Sequence, residues 1–205
     1  MTRKAFTLVC GASETGKTSF AIRYLLNSRF STRLIFDPDG EFSQRLRLPL
    51  LSRPVDLDVG WRQGWVCFDP TPHFAGRNED AFRWFLAWSM DVGRSIPGGC
   101  SLVVVDECWK FCSPHAIPPE FAAFLQTGRK VGLQGLLLTQ RPAKLNGSIH
   151  NETTETVSFL VQEQAGLEKL EAEHGLSAAE IGNLRPGSFV ARNRISRAEL
   201  RGRIF

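Results

Sequence analysis

The stretch "AFTLVCGASETGKTSF", residues 5–20, decides the fold. Its first six residues are a short apolar run with Thr7 and Val9 in it, which reads as a β-strand over residues 5–10. Directly after it come Gly11, Ala12, Ser13, Glu14, Thr15, Gly16, Lys17 and Thr18, spaced as G-x-x-x-x-G-K-[ST]. Two glycines in such a turn let successive backbone N–H groups face inward. A helix starting at Lys17 would point its positive end at the same place, which makes an anion cradle. Lys17 would then reach the β- and γ-phosphates of a nucleoside triphosphate, and the Thr18 hydroxyl would ligate Mg²⁺. Residues 11–19, with Ser19 closing the segment, are the candidate nucleotide-binding stretch.

Outward from the loop, apolar runs alternate with helical patterns, which predicts an α/β fold with a mainly parallel sheet. Residues 17–27 read as a helix with Phe20, Ala21, Tyr24 and Leu25 on one face. "RLIFD" (33–37) is a strand closed by the turn signal "PDG", and "GWVCFD" (64–69) is another. Between them, residues 43–64 read as a looser excursion broken by Pro49, Pro54 and Gly60. Residues 79–96 read as a helix whose Phe82, Phe85, Leu86, Val92 and Ile96 form a buried stripe, flanked by Trp84 and Trp88. That stripe is core or interface before it is a base-stacking platform.

"SLVVVDE" (101–107) is a continuous apolar strand ending in two acids, as a strand buried on both faces should look. A helix over about 118–128 leads to the strand "LQGLLLTQ" (133–140), and "ETVSFLV" (155–161) is the next strand. Helical stretches at about 165–174 and 177–183 precede a terminal hairpin. The whole reads as one domain of 205 residues, with residues 185–205 a basic hairpin extension.

Two further positions extend the phosphate chemistry. Asp106 can hold the water shell of Mg²⁺ and Glu107 can polarise an attacking water as general base, although a turn could use both acids equally. Gln140 ends a buried strand at the carboxyl edge, where open α/β sheets bind ligands. There it can donate to the phosphate and accept from water, or merely terminate the strand before Pro142.

A net charge of +4 permits a polyanionic partner without demanding one. Residues 151–180 hold seven Glu against Lys169 alone, whereas the tail holds Arg185, Arg192, Arg194, Arg197, Arg201 and Arg203 against Glu199. Such a tail is a solvated strand face, a subunit contact or a nucleic-acid surface. The five cysteines lack paired C-x-x-C spacing and read as reduced thiols, with Cys10 buried. His73, His115, His150 and His174 are scattered and form no evident site. No apolar run reaches membrane-spanning length, so the expectation is a soluble, cytoplasmic protein rather than an integral membrane one.

Taken in order, "GASETGKTS", "LIFDPDGEF", "LVVVDE", "GRKVGLQGLLLTQRP" and "NLRPGSFVAR" resemble the HerA–FtsK-type ATPases, over residues 5–190. The resemblance implies a RecA-like P-loop core, ATP and Mg²⁺ as ligands, and a homo-oligomeric ring, hexameric in that family, that moves double-stranded DNA. It places Lys17 and Thr18 in the loop, Asp106 and Glu107 on metal and water, and Gln140 as sensor. It also makes Arg129 a finger into the neighbouring subunit's site, with Arg141 the runner-up; a helix C-terminus favouring a cation is the plain alternative for Arg129. Asp37 and Glu41 match the family's acidic strand-two motif.

Long extra domains of chromosome pumps and conjugation ATPases are missing, so the bare motor looks most like packaging ATPases of membrane-containing icosahedral viruses, found in host cytoplasm or at a capsid vertex. On that resemblance Arg192, Arg194, Arg197, Arg201 and Arg203 would line a DNA channel or lie against capsid vertex proteins. Two other readings stay open: a filamentous-phage morphogenesis ATPase of the zonula-occludens-toxin type, and a small-molecule P-loop kinase.

Overall fold

The computed structural model describes residues 6–96 and 98–205. Ala5, the first residue of the predicted opening strand, lies outside the described residues. The elements in chain order are β1 (Phe6–Cys10), α1 (Lys17–Asn27), β2 (Thr32–Phe36), α2 (Glu41–Leu46), β3 (Leu50–Leu51) and α3 (Pro54–Arg62). Then come β4 (Trp65–Phe68), α4 (Thr71–Phe74), α5 (Asn78–Arg94), β5 (Ser101–Val105), α6 (Pro119–Thr127) and β6 (Leu133–Thr139). The chain ends with α7 (Gly147–Glu152), β7 (Glu155–Ser158), α8 (Gln164–His174), α9 (Ala178–Ile181), β8 (Ser188–Asn193) and β9 (Glu199–Arg203).

Among the described residues the strands run in the order β3-β4-β2-β5-β6-β1-β7-β8-β9, so the fold is α/β with a mainly parallel sheet and an antiparallel C-terminal end. The chain divides into two compact units. One holds the described residues up to Ala21 with Glu107–Ile117 and Leu136–Phe205; the other holds Ile22–Asp106 and Pro118–Gly135.

In the second unit β3, β4, β2 and β5 are all parallel, with Phe36 in register with both Phe68 and Val105. Parallel strands covered on both faces must be apolar throughout, and β5 is buried at every position. The aromatic stripe of α5 is core: Phe82 and Phe85 are fully buried, and both pack on Phe36 with ring centroids 5.6 and 5.5 Å apart. Phe82 meets Phe121 of α6 edge-on at 5.1 Å, while Trp84 and Trp88 stack on each other at the stripe's margin.

Residues 43–64 are not a loose excursion. Pro54 opens α3 instead of breaking it, because a proline at the first helical position forfeits only an N–H that has no intrahelical partner. Gly60 sits inside α3 for want of room: a Cβ there would come within 2.9 Å of Leu51 Cδ1 and 3.0 Å of the Trp65 carbonyl oxygen.

In the first unit β1 pairs parallel with β7, and β7, β8 and β9 form an antiparallel run, the predicted terminal hairpin. Phe20 of α1 packs edge-on against Phe159 and Phe189, with centroids 6.2 and 5.5 Å away, which seats the start of α1 on this sheet. β7 ends three residues sooner than its apolar run suggests, although Phe159 and Val161 beyond it stay buried. The five cysteines are free thiols and Cys10 is fully buried, as expected. No helix among the described residues is long and apolar enough to cross a membrane.

Candidate nucleotide-binding site

Residues 11–16 link β1 to α1 through a loop that only glycine could close at two points. Gly11 has φ +153°, and a Cβ on it would sit 2.7 Å from both Phe159 Cβ and Thr15 Oγ1. Gly16 has φ +120°, and its Cβ would lie 2.9 Å from the Phe159 ring. Neighbouring backbone pins the loop in place: Gly11 N–H donates to the Thr139 carbonyl at 3.2 Å, Ala12 N–H to Leu160 at 2.8 Å, and Gly187 N–H to Thr15 at 2.9 Å. Glu14, exposed at the apex, takes φ 62°.

The first turn of α1 presents its N–H groups behind the loop, where anions are stabilised. Lys17, only 7% exposed, donates from Nζ to the Ala12 carbonyl at 2.9 Å, and Thr15 Oγ1 donates to the same oxygen at 2.8 Å. The cation is thus folded over the cradle it would serve. Thr18 and Ser19 are half-buried on the first turn of α1. Burial pushes the Cys10 thiol far up, an effect that Lys17 partly opposes.

A chain of side chains leaves this loop. Ser13 Oγ donates to Gln140 Oε1 at 3.0 Å, and Gln140 N–H donates to Glu107 Oε2 at 3.2 Å. The same carboxylate oxygen accepts from Trp109 Nε1 at 2.5 Å. Asp106 and Glu107 lie in the turn just past β5 rather than within it. Glu107 takes φ 45° and ψ 45°, a left-handed conformation that costs a non-glycine residue on the order of 1 kcal/mol or more. Next in the chain is the short helical turn Cys108–Phe111, with Cys108 buried. Beside the loop opens a pocket of about 800 Å³, whose wall includes Ser13, Thr15, Gln140, Arg141, Gln162 and Glu163.

The structure therefore brings Ser13, Lys17, Glu107 and Gln140 into one unit. It also reveals participants that spacing alone did not mark. Residues 160–163 reach the loop because β1 and β7 are parallel with Cys10 opposite Ser158, so the segments leaving both strands emerge at one sheet edge. Trp109 joins through a contact two residues along the chain, just past the left-handed turn at Glu107.

Arg129 is exposed in the turn Gly128–Val131, whereas the Arg141 guanidinium lies 4.9 Å over the Trp109 ring. Asp37 has a clear local role. Almost fully buried, it accepts from Phe42 N–H at 3.1 Å and Ser43 N–H at 2.8 Å, which caps α2; Glu41 pairs with Arg45 on the outer face. Burial raises the Asp37 carboxyl above its ordinary range against the pull of those hydrogen bonds.

The tail arginines divide. Arg192 donates to the Gly175 carbonyl and Glu199, Arg194 to the carbonyls of His150 and Asn151, and Arg201 to both oxygens of Glu180. Arg197 and Arg203 are exposed. Two of the scattered histidines are in fact adjacent: His150 Nδ1 lies 2.9 Å from His174 Nε2. No group of three or more His, Cys, Asp or Glu arranged to hold a metal occurs among the described residues.

No protein-family model and no curated protein matches the chain. Solved structures share the fold. The genome packaging NTPase B204 from Sulfolobus turreted icosahedral virus 2, in complex with ATP-gammaS, superposes with a TM-score of 0.77 at 18% identity, covering 99% of this chain and 98% of that one. VirB4 of Thermoanaerobacter pseudethanolicus gives 0.68 at 12% identity over 97% of this chain and 89% of that one. The bacterial conjugative coupling protein TrwBdeltaN70 gives 0.67 at 12% identity over 97% and 84%.

Proposed function

We propose that this chain is an ATP hydrolase of the HerA–FtsK type that drives double-stranded DNA, most specifically a viral genome-packaging motor. Residues 1–205 act in this reading as one ATPase domain with a C-terminal hairpin, assembled into a homo-oligomeric, hexameric ring. The observation that carries it is the linked set Ser13–Gln140–Glu107 beside a glycine-closed loop with Lys17 folded into it. A kinase has little use for a glutamate tied to a phosphate-facing glutamine. The fold shared along nearly the whole length of a genome packaging NTPase supports the same reading.

ATP would lay its phosphates in the cradle of residues 11–19, and Lys17 would turn from the Ala12 carbonyl to the β- and γ-phosphates. Gln140 would exchange its Ser13 partner for the γ-phosphate and the attacking water. Glu107 would then take the proton of that water. The Thr18 hydroxyl and Asp106 carboxylate are hard oxygen donors of the kind Mg²⁺ prefers, and they would hold it. When bound, that ion neutralises charge developing on the β- and γ-oxygens. Arg129 from the next subunit would add a further cation. Of the tail arginines, Arg197 and Arg203 are the ones proposed for duplex DNA or a capsid vertex, since Arg192, Arg194 and Arg201 serve contacts of their own.

Turnover of ATP by purified assemblies, with and without duplex DNA, tests the proposal. Lys17→Ala should lose nucleotide binding, and Glu107→Gln should bind ATP yet turn it over at least ~10²-fold more slowly. Duplex DNA should stimulate the parent protein. Assembled rings indifferent to DNA would overturn the motor reading, and phosphate transfer to a metabolite would replace it with a kinase.

A further inference from the structure

Trp109, with Arg141 and Lys144 over its ring and Glu107 on its N–H, is a group that the proposed chemistry does not yet use. Trp109 Nε1 donates to Glu107 Oε2 at 2.5 Å, and a carboxylate acceptor makes a stronger hydrogen bond than a neutral one. The Arg141 guanidinium lies 4.9 Å and the Lys144 ammonium 5.2 Å from the centroid of the Trp109 ring. Cations over an indole face are held by the ring's electrons and draw density from it, which makes the N–H a better donor. The backbone is shaped for this contact. Glu107 takes the left-handed turn, Cys108 after it is buried in the core, and Asn146 Nδ2 holds the far end of the segment by donating to the Ser113 and Pro114 carbonyls.

We propose that Trp109 is a positioning residue for Glu107: its indole N–H fixes the carboxylate, and Arg141 and Lys144 fix the indole. This rests on Glu107 being the base that activates water. A carboxylate on a flexible side chain must be oriented to take a proton in line with attack, and a second group that sets the base recurs wherever nucleophiles are activated. Two donors, Gln140 N–H and Trp109 N–H, converge on one oxygen, Oε2, and so fix the plane of the carboxylate.

Trp109→Phe keeps an aromatic ring for the two cations and removes only the N–H. It should lower kcat for ATP about tenfold, the worth of one hydrogen bond to a charged group, and leave KM within about twofold. In a Glu107→Gln background it should add nothing, because the two residues act as a unit. A normal kcat for Trp109→Phe while Glu107→Gln is inert would overturn the positioning role alone. Substantial turnover by Glu107→Gln would instead sink the reading of Glu107 as base.

A measurement on the unaltered tryptophan covers the case in which Trp109→Phe does not fold. Of the five indole N–H resonances, one should lie downfield and move upfield in Glu107→Gln as the charge is lost. No movement of any indole signal would overturn the proposal.

Discussion

His150 Nδ1 and His174 Nε2 lie 2.9 Å apart with both rings buried, and Thr156 Oγ1 is 2.9 Å from the other nitrogen of His174. The pair ties α7 to α8 and β7. Charge faces it from two elements: Lys169 and Glu173 on α8, and Arg194 on the turn just past β8. Burial, helped by Lys169 and Arg194, holds His150 down to about 4; burial, helped by His150 and Arg194, holds His174 down to about 3.

These depressed values make the fold acid-sensitive in a defined window. In the unfolded chain both rings take protons below about pH 6.5, whereas the native pair stays neutral until pH 3–4. Their contribution is therefore intact above pH 6.5 and drains as pH falls toward 4, at about 1.4 kcal/mol per pH unit for each ring. Unfolding free energies from denaturant titrations at pH 7 and pH 5 should differ by about 2 kcal/mol per histidine. An unfolding free energy flat over that interval would show that the rings are not buried as neutral partners.

Gly60→Ala should destabilise the protein. Helix propensity favours alanine by about 1 kcal/mol, but overpacking costs about 1–3 kcal/mol, and the backbone carbonyl of Trp65 cannot yield as a side-chain tip would. A thermal-unfolding midpoint below that of the parent is the expected outcome; a raised midpoint would mean that β3 and α3 pack loosely.

The tail arginines should differ in their response to salt. Neutralising Arg197 and Arg203 should reduce the slope of log affinity for duplex DNA against log salt by about 1 for each residue. Arg201→Gln, whose charge already faces Glu180 at 2.6 Å, should change it less. Equal effects at the three positions would place the grip elsewhere.

Whether subunits share the proposed site can be read from mixed assemblies. Arg129→Ala should lower turnover by about 10³-fold, as loss of such a finger does. Glu107→Gln should also be inactive, yet a mixture of the two should recover part of the activity at interfaces that join an intact Glu107 to an intact Arg129. Intact mixed rings with no recovery would remove Arg129 from the site.

The glycine loop, the strands around it and the first helix were legible because each is written in consecutive residues. The spacing of Gly11, Gly16, Lys17 and Thr18 closes locally, and a short, largely β-branched run such as residues 102–105 reads as a strand buried on both faces. Residues 43–64 were misread because Pro54 and Gly60 signal breaks in isolation. Only packing against Leu51 and Trp65 shows that the glycine is a fit and not a flaw.

What the order of amino acids determined by itself was the glycine loop, the alternation of strand and helix, and the types of group at each strand end. What the tertiary structure alone decided was which strand ends meet: Glu107 with Gln140, Gln140 with Ser13, and residues 160–163 with the loop. It also decided that His150 finds His174, and that Arg201 pairs with Glu180. The reason is physical. Hydrogen bonds and ion pairs between residues far apart in the chain depend on strand order and register, and those are set by the packing of the whole sheet, which no local spacing encodes.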